Sequence, residues 1–83
     1  MPFRGWVFMQ TEIGRARAVL DGLKELPLEG ATLLAADTIT GPHDLVLYLE
    51  ADSPDHLAKT VQTITLNSDG VERTVTCHRI VLE

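Results

Sequence analysis

The chain has 83 residues and a formal net charge of −5, and 45% of its residues are hydrophobic. A chain of this length buries only about 60% of the surface that its unfolded form exposes. We therefore expect a single domain over residues 1–83 and exclude a large multi-substrate enzyme. The acidic balance and the lack of a Lys/Arg cluster disfavour nucleic acid as a direct partner. No apolar stretch is long enough for a membrane span and no secretory signal is evident, so a cytoplasmic location is expected.

The first quarter of the chain predicts a strand followed by a helix. Phe3–Thr11 is rich in β-forming residues and almost continuously apolar from Trp6 to Met9, which is typical of a central strand. Beyond Gly14, apolar residues recur at helical spacing until Pro27 ends the helix. These apolar positions are Ala16, Val19, Leu20, Leu23 and Leu26.

Two further strands are predicted in the middle of the chain. Ala31–Thr40 forms the second strand and Asp44–Glu50 the third. The connection between them, Gly41 to His43, is too short for a crossover helix. The second and third strands must therefore run antiparallel to each other.

A second helix and a last strand complete the chain. Ser53 and Pro54 have the residue types of a helix N-cap and first helical position. Residues 67–70 break this helix, and Val71–Leu82 is predicted as a long final strand. The apolar face of the second helix is predicted to comprise Leu57, Ala58, Val61, Ile64 and Thr65.

The element order βαββαβ predicts an α+β ferredoxin-like plait. Right-handed crossovers place the first and third strands in the centre of a four-stranded antiparallel sheet, with both helices on one face. The alternation of side chains along a strand then divides these two strands between the faces. The helix-covered set is Val7, Met9, Leu45, Leu47 and Leu49.

The opposite face of the sheet is predicted to carry most of the aromatic residues. It holds Trp6, Phe8, Gln10, Val46, Tyr48 and Glu50. Exposed apolar patches mark partner surfaces, and the lone Cys77 offers no intrachain disulfide to stabilise so small a domain. We therefore expect a homodimer packed through this face, with Trp6, Phe8, Gln10, Val46 and Tyr48 at the interface. A loop or the C-terminal tail folded over the patch is the alternative.

Other functions for this pattern are less well supported by the residues. Aromatic residues on the central strands are also typical of an RNA-recognition motif. The third strand of that motif is rich in aromatic residues and contains a basic residue and glycines, whereas residues 44–50, DLVLYLE, contain one aromatic residue, no Lys or Arg and no Gly. His43, His56 and His78 lack the spacing of metal ligands, and no nucleophile elbow or phosphate-binding glycine loop occurs. We expect no catalytic residue, metal or cofactor, although a dimeric α+β barrel enzyme remains an alternative.

The turn after the second strand is the most informative polar segment. Thr38, Thr40, Gly41, His43 and Asp44 combine hydroxyl groups, a flexible backbone, an imidazole and a carboxylate. These groups can bind the ammonium group of a small zwitterion and can exchange hydrogen bonds with the rest of that molecule. The alternative is that Gly41 supplies a turn conformation and Asp44 caps the backbone.

Three segments resemble the effector domain, or RAM domain, of the Lrp/AsnC transcription regulators. The run TITGPHDLVLYLEADSPDHL at residues 38–57 resembles that domain's Gly-x-(Tyr/Phe)-Asp-hydrophobic segment. VFMQTEIG at residues 7–14 resembles its opening strand, and LNSDGVERTVT at residues 66–76 resembles its closing Gly-Val-x-x-Thr. The resemblance extends over about Trp6 to Leu82.

This resemblance implies amino-acid sensing without catalysis. In that family, sheets pack face to face into dimers, dimers assemble into rings, and an amino acid binds between dimers near the Gly-x-x-Asp turn. Gly41 and Asp44 match that motif, whereas His43 stands where the family has Tyr or Phe. No helix-turn-helix precedes residue 3, so a stand-alone effector domain is expected, with full-length Lrp/AsnC regulators as possible partners. An oligomerisation module without a ligand is the alternative.

Overall fold

The sheet of this protein has the strand order β2-β3-β1-β4, and every neighbouring pair is antiparallel. The computed structural model describes residues 2–82. Its elements in chain order are β1 (Phe3–Thr11), α1 (Ala16–Glu25), β2 (Ala31–Thr38), β3 (Leu45–Ala51), α2 (Pro54–Asn67) and β4 (Val71–His78). The predicted ferredoxin-like plait with β1 and β3 at its centre is confirmed. Neither helix of the described chain is long and apolar enough to cross a membrane.

The two helices begin in different ways. At α2, Ser53 Oγ accepts a hydrogen bond from His56 N at 3.1 Å, and Pro54 occupies the first turn. This is the cap that the sequence predicts. Helix α1 begins at Ala16 without a side-chain cap, after a turn in which Gly14 has φ +81°.

Two predicted strands are longer than the observed ones. Strand β2 ends at Thr38 rather than Thr40, because the chain turns there and Ile39 N makes the last bond, to Asp44 O at 2.9 Å. Strand β4 ends at His78 rather than Leu82. His78 pairs with Gly5, and Arg79 N still donates to Arg4 O at 2.9 Å. Because β1 begins at Phe3, residues 81 and 82 would have no residue of β1 opposite them.

The buried face of α2 also differs from the predicted one. Ala58 and Thr65 are exposed, and Thr60 is buried instead. Thr60 Oγ1 donates a hydrogen bond to His56 O at 2.8 Å, which satisfies the hydroxyl and allows its burial. The buried residues of α2 are Leu57, Thr60, Val61 and Ile64.

The hydrophobic core lies entirely between the helices and one face of the sheet. The five strand residues predicted to face the helices, Val7, Met9, Leu45, Leu47 and Leu49, are all fully buried. Helix α1 adds Val19 and Leu23 to this cluster. Because both helices lie on the same side, the other face of the sheet is left without a covering layer in the described chain.

Candidate functional site

The uncovered face of the sheet, called the open face below, is defined by the strand register. Cross-strand pairing places the even-numbered residues of β1 beside alternate residues of β3 and β4. The residues of the open face are Arg4, Trp6, Phe8 and Gln10 of β1, Val46, Tyr48 and Glu50 of β3, Thr32, Ala35 and Asp37 of β2, and Arg73, Val75 and Cys77 of β4. Every residue that the sequence assigned to this face lies on it.

The centre of the open face is apolar and partly exposed. Trp6, on the central strand β1, is 37% exposed, and Val75, on the edge strand β4, is 43% exposed. The Trp6 and Tyr48 rings stack with centroids 4.6 Å apart and an interplanar angle of 25°. A shallow depression of about 150 Å³ lies beside them and is lined by Ala35, Asp37 and Val46. Stacking restricts the orientation of both rings.

An ion pair lies at one end of the open face. Arg4 Nε and Glu50 Oε2 are 2.7 Å apart, and the Arg4 guanidinium carbon lies 5.9 Å from the centre of the Tyr48 ring. The pKa of Arg4 is raised, first by hydrogen bonding with Tyr48 and to a smaller extent by hydrogen bonding with Glu50, so Arg4 stays charged. Arg4 is not among the residues predicted for this face, although its even-numbered position in β1 places it beside Trp6.

The turn between β2 and β3 closes the opposite end of the face. Gly41 has φ +115°, a conformation that residues with a Cβ rarely adopt. Thr40 and Gly41 are exposed in this turn, and His43 is half-buried. Thr38 pairs with Leu45, which faces the helices, so the predicted site residue Thr38 lies on the helix side of the sheet, away from the open face. The His43 ring packs on Phe8 with centroids 5.4 Å apart, so the turn and the open face are contiguous.

Asp44 joins this turn to the end of β1. Its backbone N donates to Met9 O at 2.8 Å, and its Oδ2 accepts from Thr11 N at 2.8 Å. The sequence left open that Asp44 caps the backbone of its own turn; in the structure its carboxylate caps the backbone of β1 at Thr11. Within residues 2–82, Oδ1 of Asp44 accepts no hydrogen bond, which leaves one carboxylate oxygen for an ammonium or hydroxyl group.

The other two histidines lie away from this turn. His56 packs against Gly30 in a cleft of about 400 Å³ between α2 and the α1–β2 connection. His78 ends β4, an edge strand. Among the described residues, no three His, Cys, Asp or Glu side chains are grouped so that they could hold a metal ion.

Comparison with solved structures places the fold among known proteins. The chain superposes on TTHA0845 from Thermus thermophilus with a TM-score of 0.81 and 26% identity, covering 98% of this chain and 96% of that one. It superposes on AsnC of Escherichia coli with a TM-score of 0.81 and 15% identity, covering 96% of this chain and 52% of AsnC. A transcriptional regulator of Neisseria meningitidis, NMB0573, solved as a complex with L-Met, gives a TM-score of 0.76 and 15% identity, with 95% and 50% covered.

These matches define the class of fold. Solved Lrp/AsnC regulators share the ferredoxin-like plait, and the chain spans about half of their length. TTHA0845, by contrast, is matched over nearly its whole length. No protein-family model and no curated protein matches the sequence.

Proposed function

We propose that this protein is a self-associating regulatory domain of the Lrp/AsnC effector type, which binds an amino acid or a related small metabolite. The observation that carries the proposal is the match of nearly the whole chain to one half of transcriptional regulators, one of them solved with L-Met. The regulator neighbours also favour a role other than catalysis. Binding to full-length regulators in the cytoplasm is the corresponding cellular role.

The arrangement of the turn supports an amino-acid site shared between subunits. The turn is an exposed edge with the Thr40 hydroxyl and one Asp44 carboxylate oxygen that accepts no hydrogen bond within the described chain, so one side of a ligand placed there would be open to solvent. A second subunit that closed over this edge would supply the missing wall. A ligand held in that way favours the assembled state, because its binding free energy is available only there.

Thermal shift measurements with each proteinogenic amino acid test the ligand. At a ligand concentration of about 100 times the Kd, binding adds about 2.7 kcal/mol of stability, which raises the Tm of a domain of this size by about 10–20 °C. Light scattering on the same samples reports whether assembly changes. A chain that stays dimeric and responds to no amino acid contradicts the ligand proposal and leaves the assembly proposal standing.

An oligomerisation module without a ligand is the second candidate function. It is favoured by one observation, the hydrogen bond between Asp44 Oδ2 and Thr11 N, which gives the motif carboxylate a purely structural role. In that case the open face joins subunits and the turn only shapes the sheet edge. The two candidates differ in the amino-acid response and agree on dimerisation.

A further inference from the structure

Two charged residues flank the apolar centre of the open face. Asp37 lies on β2, one edge strand, and Arg73 lies on β4, the other edge strand. Both are exposed, and neither takes part in an ion pair within the described chain. Strands spaced by about 4.8 Å put β2 and β4 about 14 Å apart, so Asp37 and Arg73 are too distant to pair within one protomer.

The register fixes the level of each charge along the strands. Asp37 pairs with Val46, Val46 with Phe8, and Phe8 with Val75, so these four residues form one row across the sheet. Arg73 pairs with Gln10 and lies in the next row. The acidic edge and the basic edge are therefore offset by two residues along the strand, or about 7 Å.

A two-fold axis parallel to the strands brings these opposite edges together. If a second copy packs on the open face about such an axis, β2 of each protomer lies over β4 of the other. Asp37 then lies over the partner's Val75, two residues from the partner's Arg73. Packed sheets are about 10 Å apart, a gap that one arginine and one aspartate side chain can span.

The same axis also matches the far end of the face. Strand β3 lies over the partner's β1, so the Arg4–Glu50 ion pair of one protomer meets the oppositely directed pair of the other. The stacked Trp6 and Tyr48 rings meet the partner's Tyr48 and Trp6 in the same way. In this arrangement the charged residues of one open face lie opposite charges of the other sign, and the apolar centres of the two faces lie opposite each other.

A two-fold axis perpendicular to the strands gives the opposite result. Like edges then face each other, with β2 over the partner's β2 and β4 over the partner's β4. Asp37 lies within one row of the partner's Asp37, and Glu50 approaches the partner's Asp44. Like charges placed together in this way disfavour an arrangement, which is how charge patterns select a register.

We propose that Asp37 and Arg73 pair between the two protomers of the open-face dimer, and that this pairing selects a two-fold axis parallel to the strands. This inference rests on the proposed self-association through the open face. It adds the orientation of the dimer and the residues that determine its specificity.

Charge reversal tests the pairing. Asp37→Arg and Arg73→Asp each convert two attractive pairs per dimer into repulsive ones, and each should raise the dimer Kd at least about tenfold. Mixing the two variants in equal amounts recreates attractive pairing between the two chains, so a heterodimer should form in preference to either homodimer. Sedimentation velocity measures the affinities, and native mass spectrometry separates the heterodimer from the homodimers.

Controls separate this proposal from the one on which it rests. Lys24→Glu and Glu25→Arg reverse exposed charges on α1 and should leave the dimer unchanged. If Trp6→Glu dissociates the dimer but the single reversals do not, or if the mixture fails to form a heterodimer, the Asp37–Arg73 register is wrong while the open-face dimer stands. A monomeric wild-type chain overturns both, leaving the chain's own tail or a different protein as the occupant of the face.

Discussion

Replacement of Asp44 tests whether its carboxylate serves the fold, the ligand or both. Thr11, whose backbone N donates to Asp44 Oδ2 at 2.8 Å, is only 6% exposed, so water cannot readily replace the lost acceptor. A hydrogen bond to a charged group contributes about 1.5–3 kcal/mol and a neutral one about 0.5–1.5 kcal/mol. Because Asp44 is only half-buried, we expect Asp44→Ala to cost about 1.5–2 kcal/mol and Asp44→Asn, which keeps an acceptor, about half of that.

These free energies correspond to a fall in Tm of about 6–15 °C for the alanine variant of a domain of this size. Thermal unfolding followed by circular dichroism measures this fall in Tm. Asp52 is an exposed loop residue, so Asp52→Ala is a matched control whose stability should stay within about 0.5 kcal/mol of wild type. If Asp44→Ala melts with the control, the capping hydrogen bond does not stabilise the fold and the reasoning is refuted. Loss of an amino-acid response in Asp44→Asn, with the fold retained, assigns the charge to the ligand.

Three further substitutions test the packing, the helix cap and the open face. A Cβ at Gly5 would lie 3.0 Å from both Cys77 O and a Leu57 methyl carbon, so Gly5→Ala should destabilise by about 1–3 kcal/mol. Gly22, with nothing within 4 Å of its added Cβ, is the control, and Gly22→Ala should stabilise by about 0.5–1 kcal/mol in chemical denaturation. Ser53→Ala removes the α2 cap and should cost about 1 kcal/mol in the same assay. Trp6→Glu should abolish self-association, as measured by light scattering, and should leave the far-ultraviolet circular dichroism spectrum unchanged. An unfolded Trp6→Glu variant would contradict the expectation that Trp6 serves the interface and not the fold.

The fold could be predicted because its signals are local. Ser53 followed by Pro54 marks a helix start through one side chain and one fixed φ angle. The alternation of Leu45, Leu47 and Leu49 with Val46, Tyr48 and Glu50 determines which face is buried, since a one-residue slip would expose all three leucines. Local chemistry and strand alternation therefore suffice for the element order and for the helix-covered face.

The remaining features depend on contacts between distant segments. Asp44 lies 33 positions from Thr11, so the capping partner became visible only with the fold. The apolar residues 80–82 favour a longer β4, but residues 81 and 82 lie beyond the start of β1 at Phe3. Asp37 and Arg73 each resemble any exposed strand residue until the register places them on opposite edges of one face. Sequence periodicity carries no information on such pairings.

Because the sheet is divided into two faces, we expect that the proposed dimerisation and the folding of the chain can be perturbed separately. All the fully buried apolar side chains lie on the helix side, so removal of a partner would expose the open face without opening the core. The chain contains one tryptophan, Trp6, and it lies on the open face. Its fluorescence should therefore shift to the red on dilution through the dimer Kd and stay constant in a charge-reversed monomer. Emission that is independent of concentration while light scattering shows dissociation would place the interface elsewhere.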